Sequence, residues 1–487
     1  MMFNRILRPI FLTVLLSCLL IAQKKVDQCY NCHESNGDRQ AELFKKDVHK
    51  SKGVTCADCH GGDATKADMD EAMNKSVGFI GVPKGDVKSE ICGRCHNSSG
   101  EMAKFNSTIK SGQLEDLKNS SHGKLTIKGN ERIAQCTTCH NSHGIVSVKN
   151  PASPVYALNV VKTCSKCHSD KSLIKQYNPS LPTDQFENYQ TSIHGKLNSK
   201  GDANTAECAS CHGSHLILPA KDVKSQVYSS NLPMVCSKCH SNTELMKQYQ
   251  IPTDQFEKYS HSVHGVALLK KGDAAAPSCN DCHGNHGAAP PGLESISKVC
   301  GTCHALNADL FSSSPHKKAF DDRKIPECET CHSNHEIVTA TNHLIGTTSD
   351  AVCIKCHSQT ENKKGYFAAA QMRKLLDSLA TDEQDAIQSV DEAEQKGMEV
   401  SEPKFKLRSV RQARLEVRTI IHAFNNEKFS EVANKGFVLT SEIKAEAKSA
   451  VDEFYFRRWG LILATLIISL LSITLFVYIR RLDKKKT

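Results

Sequence analysis

The sequence predicts a mainly helical, loop-rich chain that ends in a helical bundle and one C-terminal transmembrane helix, with a body not built from large apolar side chains. Three observations carry this. One short cysteine–histidine motif recurs eleven times between residues 29 and 357. A cysteine-free stretch dominated by Ala, Glu, Lys, Arg and Leu follows, from about Tyr366 to Arg458. Twenty residues without a charge, Gly460 to Ile479, come after it. The 487 residues could make several ordinary domains, yet aromatics are 6% and there is one Trp, against 23 Cys and 23 His. A body short of bulky apolar side chains needs disulfides, metals or cofactors to hold it.

Residues Met1 to Ala22 read as a secretory leader, with Arg5 and Arg8 ahead of an apolar run from Ile10 to Ala22. That run is too short to span a bilayer comfortably. Leu15-Leu16-Ser17-Cys18 leaves lipidation of Cys18 open beside an inert leader cysteine.

The repeated motif is Cys-x-x-Cys-His. Its first copies are Cys29-Cys32-His33, Cys56-Cys59-His60, Cys92-Cys95-His96, Cys136-Cys139-His140, Cys164-Cys167-His168 and Cys208-Cys211-His212. The rest are Cys236-Cys239-His240, Cys279-Cys282-His283, Cys300-Cys303-His304, Cys328-Cys331-His332 and Cys353-Cys356-His357. Cys18 alone lies outside them. The pattern reads as c-type haem attachment. Two thiols on one turn each form a thioether to a porphyrin vinyl, and the following His sits under the iron as proximal ligand. A zinc array, a disulfide framework and thioredoxin-like pairs are the alternatives, and none requires His after every second Cys. The expected cofactor is haem c, in eleven covalently attached copies.

A formal charge of +9 invites a nucleic-acid or anionic-lipid partner. Without the leader it is about +7, and with eleven ferric haems and their propionates about −4, so no nucleic-acid partner is expected. Export agrees with the haems, whose attachment in bacteria takes place outside the cytoplasmic membrane.

The motifs belong to a larger repeat. Leu181 to Phe186 reads Leu-Pro-Thr-Asp-Gln-Phe, Ile251 to Phe256 differs only at its first residue, and each leads to Tyr-x-x-Ser-x-His-Gly ending at Gly195 or Gly265. Looser copies keep a large apolar residue five positions before a His: Phe44 with His49, Leu117 with His122, Phe311 with His316. Two motifs follow each such His, and the first usually extends to Cys-x-x-Cys-His-x-x-His, ending at His143, His215, His286 and His335. In the first module Gly61-Gly62-Asp63 takes that place. The chain thus has one leading motif and five dihaem modules, with upstream His49, His122, His194, His264 and His316. At about thirty residues per motif, the protein cannot wrap each porphyrin separately. A haem-packed body of short helices and loops is expected, with neighbouring porphyrins forming the core together.

Eleven six-coordinate irons need eleven distal ligands. Twelve histidines lie outside the motifs: the nine module residues, and His261, His343 and His422. The expected distal set is His49, His122, His143, His194, His215, His264, His286, His316, His335, His343 and His422, several serving a haem other than their neighbour. His261 breaks the module register. His422 lies about 200° around a helix from Phe424, away from the apolar stripe Val410, Ala413, Val417, Ile420 and Phe424. The first three haems draw on His49 alone, so an open iron, or one held by Met69 or Met73, would be found there.

Gly397 is a sensible helix stop and Ser401-Glu402-Pro403 a helix start. A hairpin or bundle of long helices is expected, with a free coiled-coil dimer as the other reading. The last helix runs into the membrane span at 460–479, collared by Arg457, Arg458 and Trp459 and followed by Arg480, Arg481, Lys484, Lys485 and Lys486. The basic tail should stay in the cytoplasm, leaving a single-pass protein of the cytoplasmic (inner) membrane with its haem region in the periplasm. The expected division is a leader at 1–22, a trihaem region at 23–117, four tandem dihaem modules at 118–360, long helices at 361–458, the span and a basic tail at 480–487.

Cys-His-Gly-Gly-Asp at Cys59 to Asp63, Ser-x-His-Gly at Ser192 to Gly195 and Cys-His-Gly-x-His at Cys211 to His215 resemble the large multihaem cytochrome group with doubled motifs, related to class III cytochromes. The resemblance covers roughly residues 29 to 360 and implies haem binding. The helical tail with His422 is similar to those of multihaem nitrite reductases and hydroxylamine oxidoreductases. Those nitrite reductases place Lys under the active haem, whereas all eleven motifs here keep His.

The expected function is electron transfer between a membrane-embedded, quinol-oxidising or cytochrome b-type partner and periplasmic redox proteins or extracellular acceptors. The alternative is reduction or oxidation of a small nitrogen or sulfur compound at one open iron. No catalytic residue is assigned.

Overall fold

The computed structural model describes residues 26–292 and 296–486; the expected leader, with Cys18, lies outside the described residues. The protein is 62% helical, with no strand among the described residues. It divides into two compact units, one formed by residues up to 257 with 267–290, the other by 258–266 with the chain from 291 onward. The fourth module is shared, His264 falling in the second unit and Cys279–His283 in the first.

In the first unit, each module's first motif is a single turn: Cys56–His60, Cys136–His140, Cys208–His212 and Cys279–His283. A reciprocal cap starts each one, between Thr55 and Asp58, Gln135 and Thr138, Glu207 and Ser210, and Ser278 and Asp281. Orphan N–H groups of the turn are satisfied this way. Each turn stops at a residue of positive φ: Gly61, Asn141, Gly213 or Gly284. The second motif instead closes a longer helix, as in Val87–His96, Ala157–His168 and Leu232–His240. Both settings keep the two thiols and the imidazole on adjacent turns of one face.

The Ser-x-His-Gly signature has a packing cause. Ser192 is fully buried; its hydroxyl donates to the Tyr189 carbonyl (2.6 Å) and accepts from the Gly195 N–H (2.8 Å). A Cβ on Gly195 would lie 1.9 Å from the Tyr189 carbonyl oxygen, and one on Gly123 or Gly265 meets its own turn as closely. Glycine is therefore required after the histidine wherever this tight turn is used.

Consecutive modules are latched through the backbone. The N–H just before each upstream histidine donates to a carbonyl two residues beyond the next extended motif. The bonds run from Val48 to Ile145 (2.7 Å), Ser121 to Ile217 (2.8 Å) and Ile193 to Ala288 (3.1 Å) in the first unit. Val263 to Ile337 (2.9 Å) repeats the bond in the second. In the last module the equivalent residue is Pro315, which has no N–H to offer. The series ends there.

In the second unit three long helices pack together: α1 (Lys363–Gln395), α2 (Ser401–Ile420) and α3 (Asn426–Lys486). Gly397, at φ +76°, turns the chain after α1. One buried cluster joins Leu376, Leu379, Val417 and Phe429; another joins Ala386, Val390, Val410 and Ile443. Both apolar clusters found among the described residues lie in this bundle, whereas buried apolar residues of the first unit, such as Val160 and Met246, are scattered. Val410, Ala413 and Val417 are buried as their stripe predicts. Phe424 departs from it. The α-helix stops at Ile420, Ile421–Ala423 tightens to a 3₁₀ turn, and Phe424 adopts φ +46° with its ring 3.8 Å from that of His316.

Beyond the bundle, α3 continues without a break through an apolar stretch, mean hydropathy 2.6 in its most apolar window, with none of that window buried. It is long and apolar enough to cross a membrane.

Gly195→Ala should destabilise the assembled protein by about 1–3 kcal/mol, read as a lowered thermal midpoint. Gly100→Ala, whose Cβ meets nothing nearer than 3.8 Å, should leave that midpoint in place.

Candidate functional site

The histidines come together in twos. Nine pairs, each of one motif and one non-motif histidine, face each other with ring centroids 5.8–6.3 Å apart. Two imidazoles bound through a ring nitrogen to one metal atom, at about 2.0–2.1 Å each, hold their centroids about 6.3 Å apart. The spacing is too wide for contact and right for one atom between them. No group of three or more His, Cys, Asp or Glu converges as a metal site among the described residues. No disulfide joins cysteines of the described residues. The donor sets fit an iron porphyrin held by two thiols and two opposed imidazoles.

Two kinds of pair alternate. Within a module, the upstream histidine faces the second motif's histidine: His49 with His96, His122 with His168, His194 with His240, His264 with His304, His316 with His357. Across modules, the first motif's histidine faces the next extended histidine: His60 with His143, His140 with His215, His212 with His286. These cross-module rings lie within 2–19° of parallel, whereas His49/His96 and His122/His168 are near perpendicular at 90° and 82°. His332 belongs to the last module and has no next one; His422 takes the facing position at 6.1 Å and 20°.

Second partners orient several rings. His60 Nδ1 lies 3.0 Å from the Gly81 carbonyl and His422 Nδ1 3.0 Å from that of Thr419, which leaves Nε2 to face the gap. His49 Nδ1 meets the buried Asp47 carboxylate at 2.8 Å, and His33 Nδ1 meets exposed Asp38 at 2.6 Å. Burial lowers the pKa of His122, His140, His194, His212 and His332, keeping these imidazoles neutral and able to donate a lone pair.

The thiols continue the series. Cys92 lies beside Cys136, Cys164 beside Cys208, Cys236 beside Cys279, and Cys300 beside Cys328. Each pair joins the second motif of one module to the first motif of the next.

His343, Met69 and Met73 are placed apart from these pairs. His343 is exposed, 3.3 Å from Asp350, on a turn that Arg373 of α1 holds by donating to the Asn342 and Ile345 carbonyls. His261 ends the helix Gln255–His261 and is exposed. His283 Nδ1 lies 3.3 Å from the Ala289 carbonyl, and His335 holds the same place in its motif as His143, His215 and His286. Met69 and Met73, on a one-turn helix and its end, are exposed. In the first unit all six non-motif histidines already face motif histidines other than His33.

Three contributing residues escape a reading of motifs. Gly365 of α1 lies against His357: a Cβ there would be 2.1 Å from its Nδ1. Phe424 covers His316, and Asp47 backs His49. Only Asp47 leaves a trace in the sequence, as an acid where four modules have Ser.

Residues 48–169 match the family model described as cytochrome c3, a span that opens at the first upstream histidine and closes after the second module. Residues 17–61 and 299–382 match the one described as cytochrome c554 and c-prime, the second segment reaching into α1. Both matches are consistent with a multihaem c-type cytochrome, and such families imply covalently bound haem c and electron transfer.

Electron paramagnetic resonance of the oxidised protein should resolve two low-spin populations, one from near-parallel and one from near-perpendicular axial rings. His422→Ala should convert one haem's worth of parallel-type signal to high spin, while His343→Ala should leave the spectrum as it was.

Proposed function

We propose that the chain is a membrane-anchored carrier of eleven haems that passes electrons between a quinone-linked membrane partner and periplasmic or extracellular acceptors. The observation that supports this best is the alternation of opposed histidine pairs within and across modules. Haem c supplies a centre that gains and loses one electron. The chain's own residues do the rest. Both cysteines of each motif, from Cys29 and Cys32 to Cys353 and Cys356, would tether a macrocycle, and the motif histidine would be one ligand of its iron. The facing histidine of each pair would be the second, which would exclude water and exchangeable ligands and favour outer-sphere transfer. His335, by its place in the repeat, is taken as a further distal ligand.

Anchoring is assigned to α3. Its apolar stretch spans the bilayer, its basic end stays in the cytoplasm, and the haem-bearing modules face the periplasm. The membrane partner, a quinol-oxidising or cytochrome b-type protein, would meet the modules on the periplasmic side of the anchor. In membranes of the native host, quinol should reduce the full-length cytochrome. A chain ending at Arg458 should lose at least tenfold in that rate while still being reduced fully by dithionite. Equal quinol-linked rates for both chains would remove the membrane partner from the reading.

A second reading, chemistry on a small nitrogen or sulfur compound, is favoured by His33, since its unit has no further histidine to set opposite it. An open iron there should give a high-spin ferric signal that shifts with cyanide or nitrite and vanishes in Cys29→Ala/Cys32→Ala. A spectrum of low-spin signals alone would end this reading.

A further inference from the structure

Asp47 stands where the other four modules have Ser120, Ser192, Ser262 and Ser314, two residues before the upstream histidine. All five side chains are buried. The serines serve the backbone: Ser120 accepts from the His122 and Gly123 N–H groups, and Ser192 and Ser262 from the glycine that follows the histidine. Their hydroxyl protons go to the carbonyl of the preceding turn, such as Leu117 or Tyr189. A short hydroxyl occupied in this way does not reach the ring. Ser314 illustrates the result, since its hydroxyl donates to Phe311 and His316 Nδ1 is buried without a hydrogen-bond partner.

Asp47 does the same backbone work and more. Its Oδ1 accepts from the His49 N–H at 2.9 Å and meets His49 Nδ1 at 2.8 Å, while Oδ2 accepts from the Ile145 N–H at 2.8 Å. The carboxylate is 4% exposed, so water screens it little. His33 and His343 also meet carboxylates, Asp38 and Asp350, but both of those are open to solvent. Since a serine suffices for the turn in four modules, the turn itself does not call for a buried acid in the first.

We propose that Asp47 is a positioning residue that lowers the reduction potential of the one metal centre His49 serves. An N–H shared with a carboxylate makes the imidazole a stronger electron donor, and a fixed negative charge beside the ring favours the more oxidised metal. The inference rests on the carrier reading above and adds that the five modules are not electrically equivalent. The first is set apart by one residue.

Spectroelectrochemical titration of the full-length holoprotein tests this, with haem content checked by intact mass. Asp47→Ser, the residue that the repeat itself uses, and Asp47→Asn, which keeps an acceptor without the charge, should each move one of the titrating components to higher potential. Ser120→Asp should move one component the other way. Unchanged components in the Asp47 variants with every haem retained would overturn the proposal and leave the carrier reading standing, and a diffuse shift of many components would overturn it as a folding effect. A protein without cytochrome absorption would overturn both.

Discussion

Everything else in this protein depends on two imidazoles from separate segments facing each other across a gap of one metal atom. A single turn carrying two thiols and a histidine is too short to be stable by itself. It holds here because the opposed ring comes from a separate segment, so in the proposed reading each pair cross-links the chain as well as serving a redox centre. In the proposed reading, bound haem supplies the buried bulk that the first unit's scattered apolar residues do not. The second unit differs, because α1, α2 and α3 build an apolar core of their own.

The ends of a repeat need different chemistry from its middle. Four modules are latched to their successors by a backbone hydrogen bond, and the first motifs of the first three modules find their facing histidine in the next module. The last module has neither resource. Pro315 removes the donor where no acceptor follows, and His422, delivered by the tightened turn after α2, replaces the missing extended histidine. Gly365 lets α1 approach His357, and Phe424 lies over His316. Through these three contacts the helical bundle closes the repeat, and the same bundle carries the apolar stretch of α3. One element therefore caps the haem-binding region and, in the proposed reading, anchors it.

Charge follows the same economy of parts. A basic chain is what a carrier of many propionates needs, since its lysines and arginines offset acid groups that the polypeptide does not contain. Within the site, the second partner of each imidazole varies between backbone carbonyl, carboxylate and none. These differences are small in structure, yet in the proposed reading they act directly on a metal ligand, which is where a protein tunes a redox centre.

The motif spacing, the long helices and the apolar stretch of α3 were legible in the sequence by itself. Each is a local property: a thiol spacing along one turn, a stripe of apolar residues, a run without charge. Ser-x-His-Gly could be seen but not explained until Gly195 was found against the Tyr189 carbonyl. Which ring faces which was decided only by tertiary structure, since His143 lies closest in sequence to His140 yet faces His60, and no periodicity encodes that choice. His343 and His422 look alike as isolated histidines, but one is exposed beside Asp350 and the other is turned toward His332. The physical reason is the same throughout. Local geometry is written in neighbouring residues, whereas the placement of an opposed pair depends on how separate segments pack, and that is settled by contacts many residues apart.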